Sequence, residues 1–89
     1  MKTKKGYILR SLGDEFVLVS EGADVFHTGR MVSMNESAAL LWREVEGKDF
    51  DLKDMADLLV VHYDISREVA EKDAGALLQI WKNADVIEE

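Results

Sequence analysis

The apolar pattern of this 89-residue chain changes period once, near its middle, and that switch limits the folds open to it. From Tyr7 to Met34 the segments are short, rich in β-branched and aromatic residues and broken by Gly, which is the pattern of strands. Tyr7–Leu12 and Glu15–Ser20 are separated by Gly13-Asp14, whose residues tolerate the positive φ of a tight turn, so the pair predicts a hairpin. A turn-rich stretch, Glu21-Gly22-Ala23-Asp24, leads through Val25-Phe26-His27 to Thr28-Gly29. Arg30–Met34 then reads as a third strand, with Val32 and Met34 on one face.

Beyond Met34 the period is helical. Asn35 is placed as an N-cap, and Ala38, Leu41, Trp42 and Val45 come after it at helical spacing until Gly47 ends the first helix. Asp51, with Asp54 three residues on, opens a second helix in the manner of a capping box, and its apolar stripe is Leu52, Met55, Ala56, Leu59 and Tyr63. Ser66 caps a third helix over residues 67–83, with Ala70, Ala74, Leu77, Trp81 and Ala84 along one face. Val86-Ile87 forms a short apolar tail. The expected fold is therefore α+β: a three-stranded antiparallel sheet followed by three α-helices, in an order like that of a winged helix-turn-helix domain.

A chain of 10.1 kDa has room for one domain, here residues 1–89, with an ordered core expected over residues 6–87 and looser ends. It has no Cys, so disulfides, thiolate metal sites and thiol nucleophiles are excluded and packing alone must hold it. Eleven Lys and Arg stand against eighteen Asp and Glu, a net charge of −7. The excess lies in residues 44–89, which carry five basic and thirteen acidic side chains. Such a chain is a poor partner for nucleic acid or an anionic membrane, because polyanion binding is driven by Lys and Arg on phosphates. The longest apolar run, Ala38–Trp42, is far short of the roughly 18 residues a membrane span needs. Met1–Lys5 has the charge of a signal-peptide start, yet Arg10 and Gly13-Asp14-Glu15 interrupt the segment beyond it, so cytoplasmic residence is expected.

Catalytic groups are hard to find. His27 and His62 lie in different segments without the spacing of a metal site, and the acidic pairs Asp14-Glu15 and Glu88-Glu89 fall where carboxylates are solvated. Ser37 has no Gly-x-Ser-x-Gly around it and no base paired with it. The glycines are scattered singly, with no phosphate-cradling loop, and Trp42 and Trp81 sit on apolar helical faces that suit a core. No cofactor or metal is expected.

The third helix carries a surplus. Val69, Asp73, Ala76 and Ile80 recur at i, i+4, i+7 and i+11, roughly 100° around the helix from the core stripe. Either the helix is central and packs on two sides, or one stripe meets a partner, since an apolar strip beside an exposed strand suits an extended peptide. A winged-helix order also raises DNA binding. Against that, Arg67, Lys72 and Lys82 are matched by Glu68, Glu71 and Asp73, which leaves no basic face for a duplex.

Several ordered segments resemble the coenzyme PQQ synthesis protein D family: Leu9-Arg10-x-x-Gly13-Asp14-Glu15-Phe16-Val17-Leu18-Val19, then Gly29-x-x-x-x-x-Asn35-Glu36-Ser37-Ala38 into Leu41-Trp42 and Gly47. Tyr63-Asp64-Ile65 and Asp73-x-x-x-Leu77-Leu78-x-x-Trp81-x-x-x-x-Val86-Ile87 extend the resemblance over residues 6–88. The chain departs from that family at Asp85, where Gly is common, and at Trp81, where Leu is common. The resemblance implies a non-catalytic adaptor that recognises the leader of a ribosomally made precursor peptide and presents it to a modifying enzyme, often a radical SAM protein. It places the leader as a strand beside Arg30, Met31, Val32, Ser33 and Met34, resting on Val69, Asp73, Ala76, Leu77 and Ile80. Asp73 then either pairs with a basic leader residue or bonds a nearby loop. The alternatives are a winged-helix regulatory domain acting on DNA or a protein complex, and a homodimer formed through the edge strand.

Overall fold

The computed structural model describes residues 1–20 and 31–88, so the turns over 21–29, His27 and Arg30 lie outside the described residues. The element order is β1 (Lys2–Thr3), β2 (Tyr7–Leu12), β3 (Glu15–Ser20), β4 (Met31–Met34), α1 (Glu36–Val45), α2 (Leu52–Tyr63), α3 (Arg67–Asn83) and β5 (Ile87–Glu88). The expected α+β architecture is present: an antiparallel sheet in the order β2-β3-β4, followed by three helices.

The hairpin closes in two residues, Leu12 pairing with Glu15. Gly13 takes φ +62° at the first turn position while Asp14 does not turn positive, the pattern of a type II′ turn. Strand alternation then sorts the side chains. Leu9, Leu18 and Val32 stand in register across the three strands, as do Phe16 and Met34 on β3 and β4, and all five pack on the core. Val32 and Met34 thus share the inner face, as their spacing predicts.

Each helix begins at the cap its sequence predicts. Asn35 Oδ1 accepts from the Ala38 N–H at 2.8 Å, Ser66 Oγ from the Val69 N–H at 3.2 Å, and Asp51 and Asp54 form a reciprocal capping box. Gly47 lies just past the end of α1 with φ +77°. The core centres on Trp42 and Trp81, both fully buried, surrounded by Leu18, Leu41, Met55 and Val86. Arg43 lies over the Phe16 ring, 5.3 Å from its centroid, and adds a cation–π tie from α1 to the sheet. Arg67 at the start of α3 donates to Asp57 on α2 and to Glu71 at 3.2 Å, and these carboxylates push its guanidinium further above its ordinary value.

Two expectations change. The face of α3 that enters the core is Ala70, Ala74, Leu78 and Trp81, with Leu77 only half-buried. At 100° per residue, Leu77 falls on the boundary between the core stripe and the Val69–Ile80 stripe, so either neighbour can claim it. The N-terminal residues are also tied down. Lys2 and Thr3 pair antiparallel with Glu88 and Ile87, and the Lys4 N–H donates to the Val86 carbonyl at 2.8 Å. Met1 caps this corner: its carbonyl accepts from the Phe50 N–H at 2.8 Å and its α-ammonium meets Asp49 at 2.9 Å. That ammonium holds the Asp49 carboxyl below its usual value.

Candidate functional site

A strand edge and a helix stripe leave a surface unfilled. β4 pairs with β3 on one side, and its other edge faces no described strand. Such an edge presents a row of backbone donors and acceptors. On α3, Val69 and Ile80 remain 46% and 53% exposed, too much for a helix face packed on two sides. The stripe therefore faces outward.

A groove of about 540 Å³ opens where the three helices meet. Its α3 wall is Asp73, Ala76, Leu77 and Ile80. The end of α2 and the link after it supply Leu59, Tyr63 and Ile65, and the β4–α1 junction supplies Asn35, Ser37, Ala38 and Leu41. The local sequence explains this convergence. Asp64 takes the left-handed conformation, φ 51°, as the C-cap of α2, which turns the chain within three residues into the Ser66 cap of α3. Ile65 at the turn and Tyr63 on the last turn of α2 are thereby brought against α3. At the other wall, Asn35 leaves β4 and starts α1 in a single step, and Ser37 Oγ donates to Asn35 Oδ1 at 3.0 Å, so that hydroxyl serves the cap.

The wall is apolar with small polar groups at one side, and Asp73 is its one charged residue. Among the described residues Asp73 has no hydrogen-bond or ion-pair partner. No nucleophile–base pair lines the groove, and no group of three or more His, Asp or Glu that could hold a metal occurs among the described residues. No helix among them is long and apolar enough to cross a membrane. A second hollow of about 390 Å³ near the start of α2 is lined by Lys48 and by Glu44, Asp49, Asp54 and Asp57, but the last three already serve the Met1 corner, the capping box and Arg67.

Of the residues assigned from sequence to the facing groove, Asp73, Ala76, Leu77 and Ile80 line it, while Val69 is exposed one turn beyond. On β4, Met31 pairs with Val19, Ser33 is exposed, Val32 is half-buried and the Met34 side chain is buried in the core. Met34 offers an incoming strand its backbone only. Arg30 lies outside the described residues. Sequence reasoning misses Tyr63 and Ile65 as groove residues, although an apolar residue immediately before the Ser66 cap, as Ile65 is, marks a staple position that fixes how the chain enters a helix.

Two solved structures share this fold. TbiB1 in complex with the TbiA(beta) leader peptide is 22% identical and superposes with a TM-score of 0.74 over 99% of this chain and 95% of that one. Lasso peptide synthetase B1 complexed with the leader peptide is also 22% identical, with a TM-score of 0.68 over 92% of this chain and 89% of that one. No curated protein matches this chain. The family model for coenzyme PQQ synthesis protein D matches residues 15–87, from the second hairpin strand to the final apolar pair, and on that match the chain belongs to the PqqD family.

Proposed function

We propose that this domain is a non-catalytic adaptor of ribosomal peptide modification: it binds the leader segment of a precursor peptide as a strand added to β4 and presents it to a modifying enzyme, of the radical SAM type, in the cytoplasm. The observation that carries this reading is the edge of β4 that faces no described strand, together with the outward apolar stripe of α3, which walls the groove. Both solved proteins of the same fold are named as complexes with leader peptides, which supports the same use here. In strand addition the backbone of the edge gives affinity, and pockets for alternate side chains give selectivity. Arg30, Met31, Val32, Ser33 and Met34 would form the receiving edge, and Val69, Asp73, Ala76, Leu77 and Ile80 the groove on which the inward side chains rest.

The test is a ¹H–¹⁵N NMR titration with leader peptides of precursors encoded beside the gene. Saturable shifts concentrated in residues 31–34 and 69–80 are expected, and their absence with every neighbouring precursor overturns the reading. An unpaired edge also permits pairing with a second copy. A sizing column run with and without peptide separates the two uses, because a leader on β4 displaces a twin strand.

A further inference from the structure

Resting on the leader-binding reading, we infer that the cognate leader carries a Lys or Arg two residues from a bulky apolar anchor, and that this cation pairs with Asp73. Asp73 is the one charged residue of an otherwise apolar wall and is left without a partner among the described residues. Its own helix does not neutralise it. Arg67 is already held by Asp57 and Glu71, Lys72 is the adjacent residue and so points about 100° away, and Lys82 lies nine residues further on, about 13.5 Å along the axis. A carboxylate beside an apolar groove loses part of its hydration when a peptide covers it, and a cation on that peptide offsets the loss.

Helix and strand dimensions set the spacing. Along α3, Asp73 stands about 6 Å from Leu77 and about 10.5 Å from Ile80, at 1.5 Å per residue. An apolar side chain seated between Leu77 and Ile80 therefore lies about 8 Å from Asp73. Side chains on the same face of an extended peptide recur every two residues, about 6.6 Å, so the second neighbour reaches Asp73. The adjacent residue points to the opposite face, and the fourth, at about 13 Å, overshoots. Long-range charge acts in the same direction: the thirteen acidic and five basic side chains of residues 44–89, which include all of α2 and α3, attract a basic leader and repel an acidic one.

The probe is a phage-displayed library of random 12-residue peptides, selected in parallel on the wild-type domain and on Asp73→Lys, with circular dichroism confirming that the exposed substitution leaves the fold intact. Wild-type selection should enrich Lys or Arg two positions from Leu, Ile, Phe, Tyr or Trp, and Asp73→Lys should exchange the basic residue for Glu or Asp. In the enriched peptides, replacing the basic residue by Glu should lower wild-type affinity about tenfold, and Asp73→Asn should lower affinity for the parent peptide about threefold. Apolar peptides enriched without charge preference, with amide shifts in the groove, would overturn the basic-residue inference and leave strand reception standing. Failure of the library to enrich any groove binder would overturn both.

Discussion

Trp42 of α1 and Trp81 of α3 meet edge to face, with ring centroids 5.2 Å apart and planes at 88°. Phe50, in the link before α2, adds a second edge contact to Trp81 at 6.5 Å. The groove lies between the helices this pair joins, so the spacing of its walls is set by buried aromatic contact. A chain of this length has a total stability of about 4–13 kcal/mol. Trp42→Ala, which empties the centre, should cost about 3–5 kcal/mol, a large share of that total, read as a drop in the urea midpoint. Neither indole N–H has a hydrogen-bond partner among the described residues. Trp81→Phe should therefore cost less than its lost volume alone implies, about 1–2 kcal/mol, because it also removes an unpaired buried donor.

Asp85 occupies the left-handed region, φ 61°, and its carboxylate meets Lys4 Nζ at 2.5 Å. Asp85→Gly removes the strain of a side chain there and loses the ion pair with Lys4, two small opposed effects, so its stability should stay within about 1 kcal/mol of wild type. Asp85→Ala keeps the strain and loses the pair. It should cost about 1 kcal/mol, read as a shift in the urea midpoint at unchanged slope.

Asp49 titrates below its unfolded value because of the Met1 α-ammonium beside it. A carboxylate depressed in the folded state contributes stability that is complete above its unfolded pKa, near 4, and is lost as pH falls through the folded value. Asp49→Asn should therefore lower stability above about pH 4, flatten the acid limb of the profile, and match wild type at pH below the folded value. The site is fully exposed, so 1 M salt should narrow the difference between the two profiles.

Ile80 separates groove from core. It is 53% exposed, so Ile80→Ser should change stability by no more than about 0.5 kcal/mol. On the leader-binding reading the same change should weaken peptide affinity about five- to tenfold, measured by fluorescence titration. Leu78→Ser, two residues away but buried, should instead unfold the domain.

The elements legible in the sequence are those with a period or a cap. The hairpin, α1, α2 and α3 can be read because Gly13-Asp14, Asn35, Asp51 and Ser66 act on residues within a few positions of themselves. The β1–β5 ladder cannot, since strands of two residues carry no alternation and their pairing joins distant ends of the chain. The outward stripe of α3 is visible in its spacing, but which of Leu77 and Leu78 enters the core is not. That depends on the placement of neighbouring elements rather than on helical angle. Tyr63 and Ile65 escape for a related reason: their place in the groove comes from the Asp64 turn, and a residue that adopts positive φ leaves only a weak trace in sequence.

Lys2 stands opposite Glu88 in an antiparallel ladder, which brings the two ends of the fold within about 5 Å of each other. Chain connectivity is therefore close to interchangeable at this corner. A linker of a few residues could join the ends into a ring, and new ends could be opened at the Gly13-Asp14 turn with the β4 edge and the α3 stripe still in place. The same adjacency makes the domain a cassette: set into a surface loop of another protein, it would enter and leave through one point, on stems that its own ladder holds together.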